Sequence, residues 1–227
     1  MSITQLYGGK SSNSVKTAAH GMRLSGGKVV AMNEINIDQS APSAHPALVM
    51  IDVQQTFDCA EHWGRRNNPE AEMNMQRLLA CWQERGLPIV IVTHTSKLID
   101  STFHPQHETS KLKPFLAHVV PSVRITKTVN SSFYGTPDLA SWLAGRNISH
   151  IVLCGIQTNM CVETTARMAG NLGFNTQVAI DACHTFDLAG DDGLKISAEQ
   201  LTQVSATNLS GGGFASVEST ASIIGRL

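Results

Sequence analysis

The chain has 227 residues, of which 42% are apolar and 15% are charged, and its formal net charge is −1. This length fits one globular domain with a substantial core, and the composition excludes a largely disordered chain. No segment approaches the roughly 20 apolar residues that a membrane-spanning helix needs, and the small net charge gives no electrostatic reason to expect binding to nucleic acid or to an anionic membrane surface.

Residues 1–45 differ in composition from the rest of the chain, because they are rich in Gly, Ser and Lys. The segment contains one plausible strand pair, KVVAMNEINID, and has too little apolar content to fold alone. We therefore predict an N-terminal arm or hairpin at 1–45, packed on the domain or on a partner subunit, and a functional domain at 46–227. A functional lid is the alternative interpretation of the arm.

After the arm, short apolar runs alternate with segments of helical periodicity. The runs that predict strands are ALVMID, PIVIVTH, SVRITK, HIVLCG, NTQVAIDA and FASVES. Helix start signals lie between them: Asn68 as a cap with Pro69 at the first helical position, a Thr-Pro-Asp turn ending at Asp138, and a capping box from Ser197 to Gln200. Alternating βαβ units predict an α/β fold, a three-layer αβα Rossmann-like sandwich with a mainly parallel sheet of about six strands.

Reactive side chains stand at the ends of the predicted strands. Asp52 ends the first strand, His94 the second and Lys127 the third, and Cys161 follows the fourth. In open α/β sheets, ligands bind beyond the carboxyl ends of the strands, so we expect these residues to converge there. Each alone has an ordinary explanation, such as a turn carboxylate or a surface lysine, but together they are typical of a catalytic set.

Cys161 lies near the start of the helix predicted within CGIQTNMCVETTARMAG. If Thr158 or Asn159 caps this helix, the positive end of its dipole favours the thiolate. Lys127 would favour the thiolate further, Asp52 could take the thiol proton, and backbone N–H groups at the helix start could hold an oxyanion. A buried structural thiol is the alternative, but the company of Asp52 and Lys127 favours catalysis.

Three segments, VMIDVQQTF, ITKTVNSSFYGT and GIQTNMCVETTARMA, resemble the signature blocks of the isochorismatase-like cysteine hydrolases. The resemblance covers about residues 46–220, with the blocks in the same order. It implies a catalytic triad of Asp52, Lys127 and Cys161. It also implies a non-proline cis peptide bond directly before Gln157, and an oxyanion hole formed by the backbone N–H groups of Gln157 and Cys161.

The activity implied by this resemblance is cleavage of a C–N bond in a small amide, ureide or lactam through a thioester intermediate. Asp52 would accept the thiol proton, Cys161 would attack the carbonyl, and Lys127 would hold both partners and keep Asp52 ionised. Streptothricin-hydrolase-like and ureido-amide enzymes look nearest within the family. An isochorismatase-type ether hydrolase and a non-catalytic small-molecule-binding relative are the alternatives; the cysteine counts against the first and the intact triad against the second.

Residues close to the triad along the chain are candidates for contact with the substrate, while the loops at 56–68 and 97–115 are expected to set specificity. The candidates are Gln54, Phe57, Asn130, Phe133, Tyr134 and Thr158. For the aromatic members, core packing is nearly as good an explanation.

His104 and His107 resemble the metal-binding stretch of the nicotinamidase branch of this family, but Thr102 stands where that branch has an acidic residue. We therefore expect two ordinary loop histidines, no metal and no cofactor.

The five cysteines are odd in number and have no paired spacing, and the first thirty residues contain no apolar signal core. These features predict a reduced, cytoplasmic protein. Because relatives of the resembled family are commonly dimers or larger, we also expect a homo-oligomer to which the arm contributes contacts. The expected partner is a small-molecule amide, with no role for nucleic acid or membrane.

Overall fold

The computed structural model of the chain describes residues 45–227. The predicted N-terminal arm, with its strand pair, lies outside the described residues apart from His45, so it stays a prediction.

Six parallel strands form the central sheet, which confirms the predicted three-layer α/β fold. The strands are β1 (Ala47–Ile51), β2 (Ile89–His94), β3 (Val123–Lys127), β4 (His150–Ile156), β5 (Asn175–His184) and β8 (Ser216–Glu218), while β6 (Leu188–Ala189) and β7 (Lys195–Ile196) form a separate antiparallel pair. The order across the sheet is β3-β2-β1-β4-β5-β8. All five residues of β1 are buried, as expected for a central parallel strand covered on both faces.

The described connection from β2 to β3 contains no α-helix, but α-helices alternate with the other strands of the central sheet as predicted. They are α1 (Ala60–Trp63), α2 (Ala71–Glu84), α3 (Leu139–Ala144), α4 (Glu163–Asn171), α5 (Ala198–Gly211) and α6 (Thr220–Ile224). Asp138 caps α3 by accepting a 2.7 Å hydrogen bond from the Ser141 N–H, and the capping box of Ser197 and Gln200 precedes α5. The predicted helix start at the Thr-Pro-Asp turn and the predicted capping box are both confirmed. Between residues 45 and 227, no helix combines the length and apolar character needed to cross a bilayer.

The prediction that Asn68 caps α2, with Pro69 at its first position, is wrong. The helix begins only at Ala71 and has no side-chain cap, and Asn68 has a left-handed backbone with φ of +45°. The Asn68 amide instead donates to the carbonyl oxygens of Asp181 and Cys183, at 2.9 and 2.7 Å. The amide therefore ties the loop before α2 to the end of β5 and is not available to the helix.

The sheet reverses its strand order between β1 and β4, which are neighbours at its centre. Gly155 in β4 makes their close approach possible: its φ is +133°, and a Cβ at this position would lie 2.0 Å from the carbonyl oxygen of Ile51. Ligand sites of open α/β sheets lie at such a switch point, beyond the carboxyl ends of the strands. The chain segments that leave β1 and β4 therefore start side by side at this point.

Candidate active site

Three side chains from three strand ends meet in one buried cluster, as the sequence predicted. The Nζ of Lys127 donates to Asp52 Oδ2 at 2.6 Å and contacts the Sγ of Cys161 at 3.4 Å. Asp52 and Lys127 are almost inaccessible to solvent, and Cys161 is 9% exposed. Because a buried charge is costly without a partner, the carboxylate and the ammonium group each depend on the other.

The backbone turns sharply at Asp52, directly after β1. Its φ is +52°, in the left-handed region that aspartate tolerates better than most residues. The peptide is held in place because its N–H donates to Val92 O at 2.9 Å and its carbonyl oxygen accepts from the Gln54 N–H at 2.8 Å. Lys127 holds Oδ2, while Oδ1 is buried without a hydrogen-bond partner among the described residues. One carboxylate oxygen is thus left to accept a proton.

The electrostatics of the cluster favour a neutral thiol at rest. Burial raises the pKa of Cys161 to about 12, and the nearby Asp52 carboxylate adds to this rise, while Lys127 opposes it. Burial also raises the pKa of Asp52 above its ordinary value, against the attraction of Lys127. Burial and Asp52 together therefore outweigh the influences that favour a thiolate, and a base would have to remove the proton for Cys161 to act as a nucleophile.

A π-helical turn, Thr158–Val162, connects β4 to α4 and carries Cys161. The predicted cap by Thr158 or Asn159 is absent, because no side chain caps this turn. The Oδ1 of Asn159 accepts a 2.5 Å hydrogen bond from the Thr185 hydroxyl, and the buried Thr158 Oγ1 has no partner among the described residues. Single π turns often occur at functional sites, where they re-aim a side chain.

The peptide bond directly before Gln157 is cis. The carbonyl oxygen of Gln157 accepts from the N–H groups of Met160 and Val162, each at 3.2 Å, so the π turn holds the peptide group that follows Gln157 in place. Gln157 and Cys161 thus stand at the entry to the turn and within it. Their role as oxyanion-hole donors stays a prediction.

His94 belongs to the cluster, as its position at the end of a predicted strand led us to expect. Its Nδ1 lies 3.3 Å from Lys127 Nζ, and its ring packs against Phe103 with centroids 4.8 Å apart. Burial and the charge of Lys127 lower the pKa of His94 to about 4, so the imidazole is neutral near pH 7. Parallel pairing of β2 with β3 aligns His94 with Lys127, and that register brings the two side chains together.

Gln54 is buried, and its side-chain amide is engaged with the backbone. Its Oε1 accepts from the His94 N–H at 2.8 Å, and its Nε2 donates to the carbonyl oxygens of His94 and Ser110 at 3.1 and 2.6 Å. The structure therefore places Gln54 behind His94, where it holds the peptide group of that residue.

The other substrate-contact candidates divide into buried and accessible residues. Phe57 and Phe133 are buried, and Phe133 stacks on Phe174 with centroids 5.6 Å apart, as core residues do. Tyr134 is 71% exposed. Asn130 is exposed, and its Oδ1 lies 3.9 Å from Cys161 Sγ. Of these four, Asn130 is the one placed beside the thiol.

A cavity of about 750 Å³ adjoins the cluster on the side of β2 and β3. Its walls include Gln54, His94 and Phe103 but not Asp52, Lys127 or Cys161. His94 therefore both lines this cavity and contacts Lys127.

Among the described residues, Asp52, His94 and Cys161 form the group that could supply three metal ligands, with candidate atoms within 4.8 Å of one another. The ammonium of Lys127 is within hydrogen-bonding range of all three and would repel a metal cation there. This donor set therefore fits a metal poorly.

The loop histidines that the sequence singled out lie outside this group. The Nε2 of His107 pairs with Ile99 O at 2.7 Å, and the Nδ1 of His104 accepts from the Gln106 N–H at 3.3 Å. The absence of a metal from the reaction stays a prediction.

A parallel α/β sheet with a buried carboxylate, ammonium and thiol at its switch point has the general form of an α/β enzyme with a candidate nucleophile. Comparison with known proteins is more specific, since the Isochorismatase domain matches residues 46–208. The chain belongs to the isochorismatase family.

Relatives and solved structures support this assignment along most of the domain. The chain is 39% identical over 163 residues to the isochorismatase family protein YrdC of Bacillus subtilis (strain 168), covering 72% of this chain and 86% of that protein. It is similar to the crystal structure of a protein of the isochorismatase family from Chromobacterium violaceum ATCC 12472, with 37% identity, a TM-score of 0.76, and coverage of 82% of this chain and 96% of that chain. A shorter match, 48% identical over 54 residues, is to the ureidoacrylate amidohydrolase RutB of Cronobacter sakazakii (strain ATCC BAA-894), covering 24% of this chain and 23% of that protein.

Proposed function

We propose that this protein is a cysteine hydrolase that cleaves a C–N bond of a small amide, ureide or lactam. The observation that carries the proposal is the buried contact of Lys127 Nζ with both Asp52 Oδ2 at 2.6 Å and Cys161 Sγ at 3.4 Å. The local similarity to an amidohydrolase that acts on ureidoacrylate supports the same reaction class.

In the first half of the reaction, Asp52 accepts the thiol proton as the sulfur of Cys161 attacks the substrate carbonyl carbon. The unpartnered Oδ1 of Asp52 is the oxygen available for that proton. The oxyanion rests on the backbone N–H groups of Gln157 and Cys161. The C–N bond then breaks, Asp52 returns its proton to the leaving nitrogen, and a thioester remains on Cys161.

In the second half, Asp52 takes a proton from a water molecule that attacks the thioester carbonyl. The C–S bond breaks, a carboxylic acid leaves, and the sulfur regains a proton from Asp52. Throughout both halves, Lys127 holds the carboxylate in a fixed position through its 2.6 Å hydrogen bond.

The proposal is tested by measuring the release of ammonia or acid from a panel of small amides, ureides and lactams. Turnover should fall by at least about 10³-fold in Cys161→Ala. The matched control is Cys59→Ala, because Cys59 is another free cysteine with a partly accessible side chain but is not part of the cluster. A thioester at Cys161, trapped by acid quenching and located by mass spectrometry, would support the covalent route. Substantial turnover by Cys161→Ala would refute it.

The same panel separates the two alternative functions. An isochorismatase-type ether hydrolase would release its product from an enol ether and leave amides intact. A non-catalytic binding relative would bind ligands without turnover, and its ligand affinity would not change in Cys161→Ala.

A further inference from the structure

The ammonium group of Lys127 has three N–H donors, and three acceptors surround it. They are Asp52 Oδ2 at 2.6 Å, Cys161 Sγ at 3.4 Å and His94 Nδ1 at 3.3 Å. With each donor assigned to one acceptor, the ammonium has one preferred orientation. A lysine ammonium otherwise rotates readily about its last bond.

His94 can take this part because its ring is neutral. The low pKa of His94, about 4, keeps the ring neutral near pH 7, and a neutral ring accepts a hydrogen bond at Nδ1 when its proton is on Nε2. The positive charge of Lys127 is one cause of that low value, so the two groups favour the same arrangement.

The position of His94 is itself fixed from two directions. Gln54 binds both the N–H and the carbonyl oxygen of the His94 backbone. On the other side, Phe103 packs against the imidazole ring at a centroid distance of 4.8 Å. The chain thus holds His94 firmly although its side chain faces a cavity of about 750 Å³.

We propose that His94 is a positioning residue, which acts by accepting the third N–H of Lys127 so that the other two remain directed at Asp52 and Cys161. The inference rests on the proposed function, since it assigns a role in the same reaction. Without this acceptor, the ammonium can rotate away from the thiol, and the geometry in which Asp52 takes the proton is populated less often.

The test compares substitutions that remove the acceptor with one that keeps it. His94→Phe preserves a ring against Phe103 but has no acceptor, whereas His94→Asn places Oδ1 near the position of Nδ1. We expect kcat to fall by about 10- to 100-fold in His94→Phe, with KM changed less than about threefold, and to recover to within about fivefold of the native value in His94→Asn. His150→Leu is the matched control, because His150 is also a half-buried strand histidine with a side-chain hydrogen bond, to Gln177. It should leave kcat unchanged.

A second readout does not require turnover and separates failure of this inference from failure of the proposed function. Alkylation of Cys161 by iodoacetamide, followed by mass spectrometry, should be slower in His94→Phe than in the native protein, because Lys127 stabilises the thiolate less well, and should recover in His94→Asn. If no substrate of the panel is turned over, this result still decides the role of His94. Should His94→Phe not fold, His94→Leu replaces it. The inference is overturned if the acceptor-free variant keeps native kcat and native alkylation, or if His94→Asn is as impaired as His94→Phe.

Discussion

Lys127 Nζ and Asp52 Oδ2 are 2.6 Å apart, and the two side chains are at most 1% exposed. The pair comes from the ends of β1 and β3, which are not adjacent, since β2 lies between them. A charged pair that is removed from water contributes little to the stability of the fold, because the free-energy cost of desolvating the two charges offsets most of the attraction between them. Its presence is better explained by the chemistry of the neighbouring thiol.

The first prediction concerns the balance of charge in this pair. Lys127→Met should destabilise the protein by about 3–5 kcal/mol, because it leaves a buried carboxylate without its partner. The double variant Asp52→Asn with Lys127→Met should recover much of that stability but no turnover. Urea unfolding monitored by fluorescence measures both, with the exposed Lys97→Met as control. A double variant as unstable as the single one would contradict the argument.

The second prediction concerns the reactivity of Cys161. With a pKa of about 12, the thiolate fraction should grow about tenfold per pH unit between pH 7 and pH 10, and so should the alkylation rate by iodoacetamide. An ordinary thiol of pKa about 8.5 would instead level off within that range. A plateau near pH 9 at Cys161, located by mass spectrometry, would show that burial does not control the thiol.

The third prediction is that chemical reactivity and turnover respond in opposite directions in Asp52→Asn. Removing the carboxylate removes one cause of the raised pKa of Cys161 while Lys127 remains, so alkylation at pH 8 should become faster. Turnover should nevertheless fall by at least about 100-fold, since both proton transfers of the proposed mechanism run through Asp52. Near-native turnover in Asp52→Asn would mean that another group is the base.

The fourth prediction concerns His184, which is fully buried at the end of β5. Both ring nitrogens lack a hydrogen-bond partner among the described residues, and Nε2 is 3.6 Å from Glu72 Oε1. Burial lowers the pKa of His184 in the folded protein below the unfolded value of about 6.5. The folded protein therefore favours the neutral ring. The contribution of this preference to the free energy of unfolding is fully present above about pH 6.5 and is lost as the pH falls through the lower folded pKa.

His184→Leu should consequently be neutral or stabilising at pH 7, because it replaces an unsatisfied polar ring by an apolar group. It should also make the free energy of unfolding less dependent on pH below about 6.5. Urea unfolding at a series of pH values between 7 and 4.5 measures this dependence, and the exposed His118→Leu is the control. An unchanged pH dependence in His184→Leu would exclude His184 as the source.

The fifth prediction concerns metals. Exhaustive dialysis against a chelator should leave hydrolysis unchanged, because the ammonium of Lys127 lies among the candidate ligand atoms of Asp52, His94 and Cys161. Elemental analysis before and after dialysis checks that any bound metal has been removed. A loss of rate that zinc or manganese restores would show that a metal site had been missed.

Local patterns accounted for the strands and for two of the caps. The apolar runs identified all six strands of the central sheet, and Asp138 and Ser197 cap helices through hydrogen bonds to residues three positions ahead. Asn68 behaved differently because its amide binds carbonyl oxygens of β5, more than a hundred residues away. A contact of that kind overrides a local preference and leaves no local signal.

Local patterns also predicted part of the candidate site, because they identify the strand ends at which its residues lie. Asp52 and Cys161 follow strands and Lys127 ends one, so a parallel sheet was sufficient to bring them together. The π turn around Cys161 has no residue pattern that distinguishes it from an α-helical start. The contact between His94 and Lys127 depends on the register of β2 and β3 and on the side-chain conformations, which neither residue reveals alone.

Gly155 makes the geometry of the site intolerant of change at a position that carries no reactive group. Any larger residue would meet the Ile51 carbonyl and force β4 away from β1, so the segment leading to Cys161 would shift relative to Asp52. In a saturation-mutagenesis library selected for activity, position 155 should therefore accept glycine alone, whatever substrate is used for selection. Attempts to alter the substrate range would do better to diversify the exposed Asn130 and Tyr134, where the backbone sets no comparable limit.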